Sequence, residues 1–315
     1  MIVSLHYNKA NGMFRLAHIS DIHLGPLPKV KRRELFSKRI TGYVNFRRNR
    51  TSHLQSHITE NLISYLKSLS PDHTAITGDL INLGLEAEIE IAKAWLTSLG
   101  AAEDHTVVLG NHDAYVRGAR DKALAAWQEW ICGDAKVIIK SDADYPIVRR
   151  RGRISLIGCN SARASAPFLA TGYFKKGQAD ALEAILSAEK ASGQCCIVLI
   201  HHPPVKSATQ RYKRLLGAKR LRAVIARKGA DLILHGHTHL QTLSYLEGPD
   251  KQVPVVCVPA AYQWHGHKKP PSGLNLFDIK PENGKWMIKL ERHGLTFDGS
   301  NTTQPTFNLL EERIL

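Results

Sequence analysis

Five short stretches concentrate acidic, imidazole and amide side chains, each directly after an apolar run. They hold Asp21 and His23 (SDIHLG), Asp79 (TGDLIN), Asn111, His112 and Asp113 (LGNHDA), His201 and His202 (LIHHPP), and His235, His237 and His239 (LHGHTH). Taken singly, a Gly-Asp pair or an Asp two residues from a His is ordinary turn chemistry. Five such units in series resist a purely structural role. Burying that many imidazoles and carboxylates without a cation costs several kcal/mol per unpaired charge, and a metal centre compensates them. The set offers imidazole nitrogens, carboxylates and one amide oxygen but no thiolate. That suits Mn, Fe, Zn or Co and argues against a structural zinc clip or an iron–sulfur cluster. Asp21, His23, Asp79, Asn111, His201, His237 and His239 make seven candidate ligands. One ion cannot use seven, whereas two ions sharing a carboxylate can.

The elements that must position these residues alternate. Short β-like runs fall at 14–20, 73–78, 105–109, 153–159, 195–200, 231–234, 253–258, 274–279 and 285–291. Helical patterns fall at 53–69, 86–99, 119–131, 177–190 and 209–228. In the first of these, Leu54, Ile58, Leu62, Tyr65, Leu66 and Leu69 recur every three or four residues and form one face, and Pro71 stops it. The motifs sit at the C-terminal ends of expected strands, where α/β sheets gather their sites. The order predicts an α/β domain with helices flanking two packed sheets. The domain is expected over 13–297, with 24–52 as a basic loop or cap over the active-site face and 298–315 as a polar, flexible tail. Residues 1–12 read as an upstream extension without a role in the fold.

With 315 residues, 43 Lys+Arg against 28 Asp+Glu and a net charge of +15, the chain is globular in composition but strongly basic. The excess is local. Residues 29–50 hold nine Lys/Arg and one Glu, and residues 206–228 hold nine and no acid. No apolar run approaches the ~18 residues of a membrane span, and the N-terminus lacks the apolar core of a secretory signal. Five cysteines without a CxxC pair read as reduced thiols. A cytoplasmic protein, able to sit at a membrane periphery, is the expectation.

The series Asp21-x-His23, Gly78-Asp79, Gly110-Asn111-His112-Asp113, His201 and Gly236-His237-x-His239 resembles the calcineurin-like metallophosphoesterases over roughly residues 14–290. The resemblance implies a four-layer αββα sandwich of two mixed β-sheets flanked by helices. It implies two metal ions, Mn or Fe with Zn as a further candidate. Asp21, His23 and His239 would hold one ion and Asn111, His201 and His237 the other, with Asp79 bridging. His112 would be the general acid, with Asp113 as its catalytic neighbour. The implied reaction is hydrolysis of a phosphoester by a hydroxide bridging the metals. The run Asn82-Leu83-Gly84 is similar to the bacterial cyclic-nucleotide and glycerophosphodiester phosphodiesterase branch. Phosphoprotein phosphatases carry an acid at the position of Asn82, so they fit less well.

The expected substrate is therefore a small anionic phosphodiester, such as a cyclic nucleotide. His202, Arg39, Tyr43 and Asn45 are candidate substrate contacts. Two alternatives remain: a pyrophosphatase or phosphodiesterase acting on a lipid-linked or nucleotide-sugar substrate at a membrane surface, and a non-catalytic nucleic-acid or membrane adaptor. Segments 29–50 and 206–228 could meet an anionic membrane or nucleic acid. The second could equally be a solvated amphipathic helix that packs Leu215, Leu216, Leu221, Val224 and Ile225 inward.

Overall fold

A run in which every residue is apolar, such as 195–200, must bury both of its faces. The computed structural model describes residues 12–49, 56–265, 268–298 and 301–315. In it, Cys195, Ile197 and Leu199 face one apolar layer while Cys196, Val198 and Ile200 face another. Two six-stranded sheets produce this double burial. The first runs β14 (Asn301–Ile314), β13 (Lys285–Asp298), β12 (Gly273–Glu282), β1 (Phe14–Ile19), β2 (His73–Ile76), β3 (His105–Val107). The second runs β10 (Leu243–Glu247), β11 (Gln252–Cys257), β9 (Leu232–His235), β7 (Cys195–Leu199), β5 (Ile154–Gly158), β4 (Ile147–Arg151). A small parallel pair, β6 (Gly172–Tyr173) and β8 (Leu215–Leu216), lies apart from both. In the first sheet β1–β2 and β2–β3 are parallel and β1–β12, β12–β13 and β13–β14 antiparallel; in the second the inner pairs β5–β7, β7–β9 and β9–β11 are parallel and the two outer pairs antiparallel, so both sheets are mixed.

Phe14, Leu16, Ala75, Leu156, Ile197, Leu234 and Phe277 pack between the sheets. The outer face of the first sheet is covered by α2 (Ser56–Ser68), α3 (Glu86–Leu99), α4 (Ala119–Ala126) and α5 (Gln128–Ile131) through Leu62, Leu66, Ile89, Leu96 and Trp127. The second is covered by α6 (Lys176–Ala191) and α7 (Ala218–Lys228) through Leu182, Leu186, Leu221, Val224 and Ile225. This is the expected αββα sandwich. Outside it, α1 (Arg39–Asn49) crosses the face where the motif loops emerge.

Three segments depart from the sequence expectation. The helix over 209–228 begins only at Ala218, because Gly217 stands at φ +81° and a Cβ there would meet Phe174 O at 2.3 Å. Residues 209–217 instead contain a single 3₁₀ turn and β8. The helix over 119–131 breaks at Trp127 (φ −106°, ψ 20°), whose buried indole donates to Ile89 O at 3.1 Å. The polar tail over 298–315 forms β14 and pairs antiparallel with β13 from Asp298↔Asn301 to Lys289↔Ile314. Its anchor is Phe307, buried and stacked on Tyr65 at 5.6 Å. The expected start of the first helix, 53–55, and the extension up to residue 11 lie outside the described residues.

His105, at the start of β3, is buried, and that burial, helped by Arg149 and Lys67, pushes its pKa down to about 4. The unfolded chain takes up this proton near pH 6.5, so the stability His105 contributes is complete above 6.5 and is lost as pH falls towards 4. Between those limits the wild type should lose up to about 1.4 kcal/mol per pH unit more than His105→Gln. Urea midpoints of the two proteins at pH 7 and pH 5 test this, and equal pH slopes would refute it.

Candidate metal centre

The loops after β1, β2, β3, β7 and β9 converge, and their backbone is strained where they do so. Asp21 (φ 53°), His23 (46°), Asp79 (56°), His237 (67°) and His239 (57°) all occupy the left-handed region, which disfavours residues with a Cβ and clusters at functional sites. Backbone bonds hold the loops to one another: Asp21 N–H donates to Gly78 O at 2.9 Å, His23 N–H to Asp79 O at 3.0 Å, and Gly236 N–H to His201 O at 3.1 Å.

Each carboxylate uses one oxygen to receive a backbone N–H from another loop. Asp21 Oδ2 accepts from His237 N–H at 2.9 Å and Asp79 Oδ1 from His112 N–H at 2.7 Å. Glycine makes both approaches feasible. A Cβ on Gly236 would sit 2.5 Å from Asp21 Oδ2, and one on Gly110 would sit 2.1 Å from Asp79 Oδ1. The remaining oxygens turn to the histidines. Asp21 Oδ1 lies 3.0 Å from His239 Nε2, and Asp79 Oδ2 lies 3.3 Å from His201 Nε2 and 3.8 Å from His23 Nε2.

Carbonyls behind the rings set the tautomers. His23 Nδ1 donates to Ile81 O at 3.0 Å, His201 Nδ1 to Thr77 O at 2.7 Å, and His237 Nε2 to Lys213 O at 2.9 Å. The opposite nitrogens therefore present lone pairs. His201 Nε2 faces Asn111 Oδ1 and Asp79 Oδ2, both at 3.3 Å. An acceptor among acceptors is stable only with positive charge between them, a proton or a metal ion. The pKa directions agree. Burial alone would raise Asp79, yet His201, His112 and His23 hold it well below the usual carboxylate range. Burial alone would lower His201, yet Asp79 and Asp21 push it up to about 10. The donors fit a metal site: Asp21, His23 and His239 converge, as do Asp21, Asp79 and His201, and the His237 ring centroid lies 5.1 Å from that of His201.

His112 stands beside this cluster. Its Nδ1 donates to Asn82 O at 2.5 Å, and its ring lies edge-on to His23 at 4.7 Å and stacks on Tyr115 at 5.4 Å. Asp113, expected as its catalytic neighbour, points the other way. Its Oδ2 accepts from Asp79 N–H (2.9 Å) and Gly110 N–H (2.8 Å), and its Oδ1 from Leu80 N–H (2.9 Å) and Ile81 N–H (3.3 Å). Glu88 does the same for the next turn, accepting from the N–H groups of Asn82, Leu83 and Leu85. Nothing in the motif spacing marked Glu88; only its position three residues after Leu85, at the start of a helix, could have.

The mouth of the cluster is a cavity of about 400 Å³ whose walls include Asn45, Asn111, His112, Phe168, Tyr262 and the lysines Lys38, Lys213 and Lys269. Of the residues expected to touch substrate, Asn45 lines it and the others do not. Arg39 turns inward to Leu83 O and Gly84 O. Tyr43 packs with Leu83, Leu85 and Tyr115. His202 is buried behind His201, its Nδ1 against Ser161 Oγ at 2.8 Å and its Nε2 donating to Ala170 O at 3.3 Å. Lys38 was missed. It reaches in from α1's N-terminal end, donates to Ser165 Oγ (2.8 Å) and Leu169 O (2.7 Å), and lies 4.7 Å from the Tyr115 ring centroid. Burial lowers its pKa to about 8, against the pull of Asp79.

Asp113→Asn separates positioning from chemistry. An amide in place of one oxygen leaves buried N–H groups of Gly110 and Asp79, or of Leu80 and Ile81, without an acceptor, at about 1–3 kcal/mol. Urea unfolding should show that loss, and calorimetry should show weaker Mn²⁺ binding. Full stability and metal affinity with abolished turnover would instead make Asp113 a catalytic residue.

The comparison with known proteins agrees with this geometry. Residues 14–241 match the family model of the calcineurin-like phosphoesterases. A probable cyclic nucleotide phosphodiesterase of Synechococcus sp. is 24% identical over 228 residues, covering 71% of this chain and 78% of that protein. The fold is similar to a dimetal phosphatase from Danio rerio, with a TM-score of 0.59 at 11% identity over 93% of this chain and 98% of the other. It is also similar to the NAD nucleotidase of Haemophilus influenzae, with a TM-score of 0.52 at 13% identity over 95% of this chain but 54% of that one. With the family model spanning well over half of its length, the chain is a member of the calcineurin-like phosphoesterases, metal-dependent hydrolases of phosphoesters.

Proposed function

We propose that the chain hydrolyses the phosphodiester of a small anionic substrate, a cyclic nucleotide or a similar molecule, with two metal ions. The observation that carries this reading is the enclosure of Asp79 between His23 and His201, with a second carboxylate, Asp21, facing His239. Asp21, His23 and His239 would hold one ion, Asn111, His201 and His237 the other, and Asp79 both. The oxygen and imidazole donors suit Mn or Fe, with Zn as an alternative. When bound, such a pair supplies a water that ionises near neutral pH and positive charge against the phosphate oxygens. The name of the Synechococcus relative favours a cyclic nucleotide.

The chain's own residues do the rest. With Nδ1 fixed on Asn82 O, His112 offers Nε2 to the departing oxygen as a general acid. Tyr115, stacked on the ring, and Asn82 hold its plane. Lys38, Lys213 and Lys269 surround the cavity and favour an anionic substrate through charge.

Metal-stripped protein refilled with Mn²⁺ should cleave bis-p-nitrophenyl phosphate, and Asp79→Asn should remove that activity together with metal binding. Turnover that survives metal removal would sink the reading. His112→Asn should be selective. Nitrophenolate leaves without a proton, so its ester should be little affected, whereas a cyclic nucleotide, which expels an alkoxide, should lose about 10²–10⁴-fold in kcat. Equal losses on both substrates would show that His112 is not the acid.

A further inference from the structure

The most exposed large apolar side chains among the described residues are Phe36 (88%) and Phe168 (82%); Phe168 lines the metal cavity, and Phe36 lies two residues before Lys38, which also lines it. Single exposed hydrophobes need no explanation, but these are grouped. Ile40 and Val44, one turn apart on α1, also face outward. Arg39 and Phe46 of the same helix turn inward, Arg39 to the carbonyls of Leu83 and Gly84 and Phe46 into the interior. For Arg39, Ile40 and Val44 that is the reverse of a helix solvated on its outer face, whereas Phe46 packs inward as it would in one. Across the mouth, Phe168 stands at φ +64° beside the partly exposed Leu169, with Tyr212 near. Lys38 ties the two sides through Ser165 Oγ and Leu169 O, so Phe36 and Phe168 each lie within two residues of one tie.

Charge surrounds these apolar residues. Lys29, Lys31, Arg32 and Arg33 are exposed on one side and Arg211 and Arg214 on the other. The one acid among residues 29–50, Glu34, receives the backbone N–H of Lys31. Basic residues flanking outward apolar groups are the composition of an interfacial membrane contact. We propose that this rim docks on a bilayer containing anionic lipid, Phe36, Ile40, Val44 and Phe168 entering the interfacial layer while the flanking Lys and Arg meet headgroup phosphates. The substrate is then a phosphoester presented at the membrane surface. The docking stands on the rim alone; the substrate class rests also on the hydrolytic reading. Outward Ile40 and Val44 offer a nucleic acid neither a stacking face nor a hydrogen bond, and like charge opposes pairing of the rim with a second copy of itself.

The full chain is floated with phosphatidylcholine vesicles that contain or lack phosphatidylglycerol, at low and high salt. Binding should require phosphatidylglycerol, weaken with salt, and fall about 10-fold or more in Phe36→Ser/Ile40→Ser. Neither side chain lines the cavity, so the double variant should keep wild-type turnover of bis-p-nitrophenyl phosphate, which also shows that it has folded. Arg32→Gln/Arg33→Gln should lose vesicle binding without touching the apolar face. No binding, binding indifferent to phosphatidylglycerol, or undiminished binding by both variants overturns the proposal. Single-stranded DNA that outcompetes the vesicles overturns it in favour of a nucleic-acid surface. Vesicle binding by a wild type that cleaves no phosphoester sinks the hydrolytic reading and leaves the docking standing.

Discussion

Two buried carboxylates facing a ring of imidazole lone pairs constitute the constraint around which the molecule is arranged. Neither Asp21 nor Asp79 is solvated, and each divides its two oxygens between a backbone N–H from another loop and the histidines. The N–H bond fixes which oxygen is spent on structure, so the other is aimed. The donors of those N–H groups, His237 and His112, come within two residues of Gly236 and Gly110, whose missing side chains are the space the carboxylates occupy. The Gly-His and Gly-Asn pairs are thus one steric device used twice.

Such loops are unfavourable in isolation. Five residues in left-handed backbone, at roughly 1–2 kcal/mol each, and concentrated negative charge would not persist on a mobile scaffold. The three apolar layers of the sandwich over-determine the ends of β1, β2, β3, β7 and β9, and the loops inherit that rigidity. Asp113 and Glu88 extend it into the turn 79–85 by accepting its successive N–H groups. The cap is built differently. Helix α1 is tied to the body largely through polar bonds from Lys38 and Arg39 and through Phe46 and Tyr43.

The sheets and the site cluster were legible because both are written locally. Period-two alternation and uniformly apolar runs announce strands, and polar residues just beyond them mark where strands end. Side-chain direction was not legible. Asp113 sits next to His112 in sequence but bonds to a loop more than thirty residues away, and Arg39 sits in a basic run but reaches carbonyls of 83 and 84. Both outcomes depend on which loop passes beneath. The tail was hidden for another reason. An edge strand needs only backbone partners, so the polar composition of 298–308 conceals β14, and a single aromatic, Phe307, supplies the anchor. The apolar spacing of 209–228 continues through Gly217 and so extends the helical pattern beyond the helix, while Phe174 O, distant in sequence, excludes any side chain there.

The localisation of charge follows the same contrast. The centre needs positive charge only in the gap between Asp21, Asp79 and the histidines, which bound metal ions would supply. The lysines and arginines of 29–50 and 206–228 are therefore not required for the centre itself. Lys38 and Lys213 reach the cavity wall, where their field would act on the part of an anionic substrate that the ions do not hold. Arg32, Arg33 and Arg211 are exposed outside it, where in the proposed docking they would meet the surface that carries the substrate. Membership of the family accounts for the first of these three shells. The outer two belong to α1 with the segment before it and to the 206–217 loop, and in the proposed docking it is there, in the pairing of exposed aromatic and aliphatic groups with basic ones, that this chain's choice of phosphoester would be encoded.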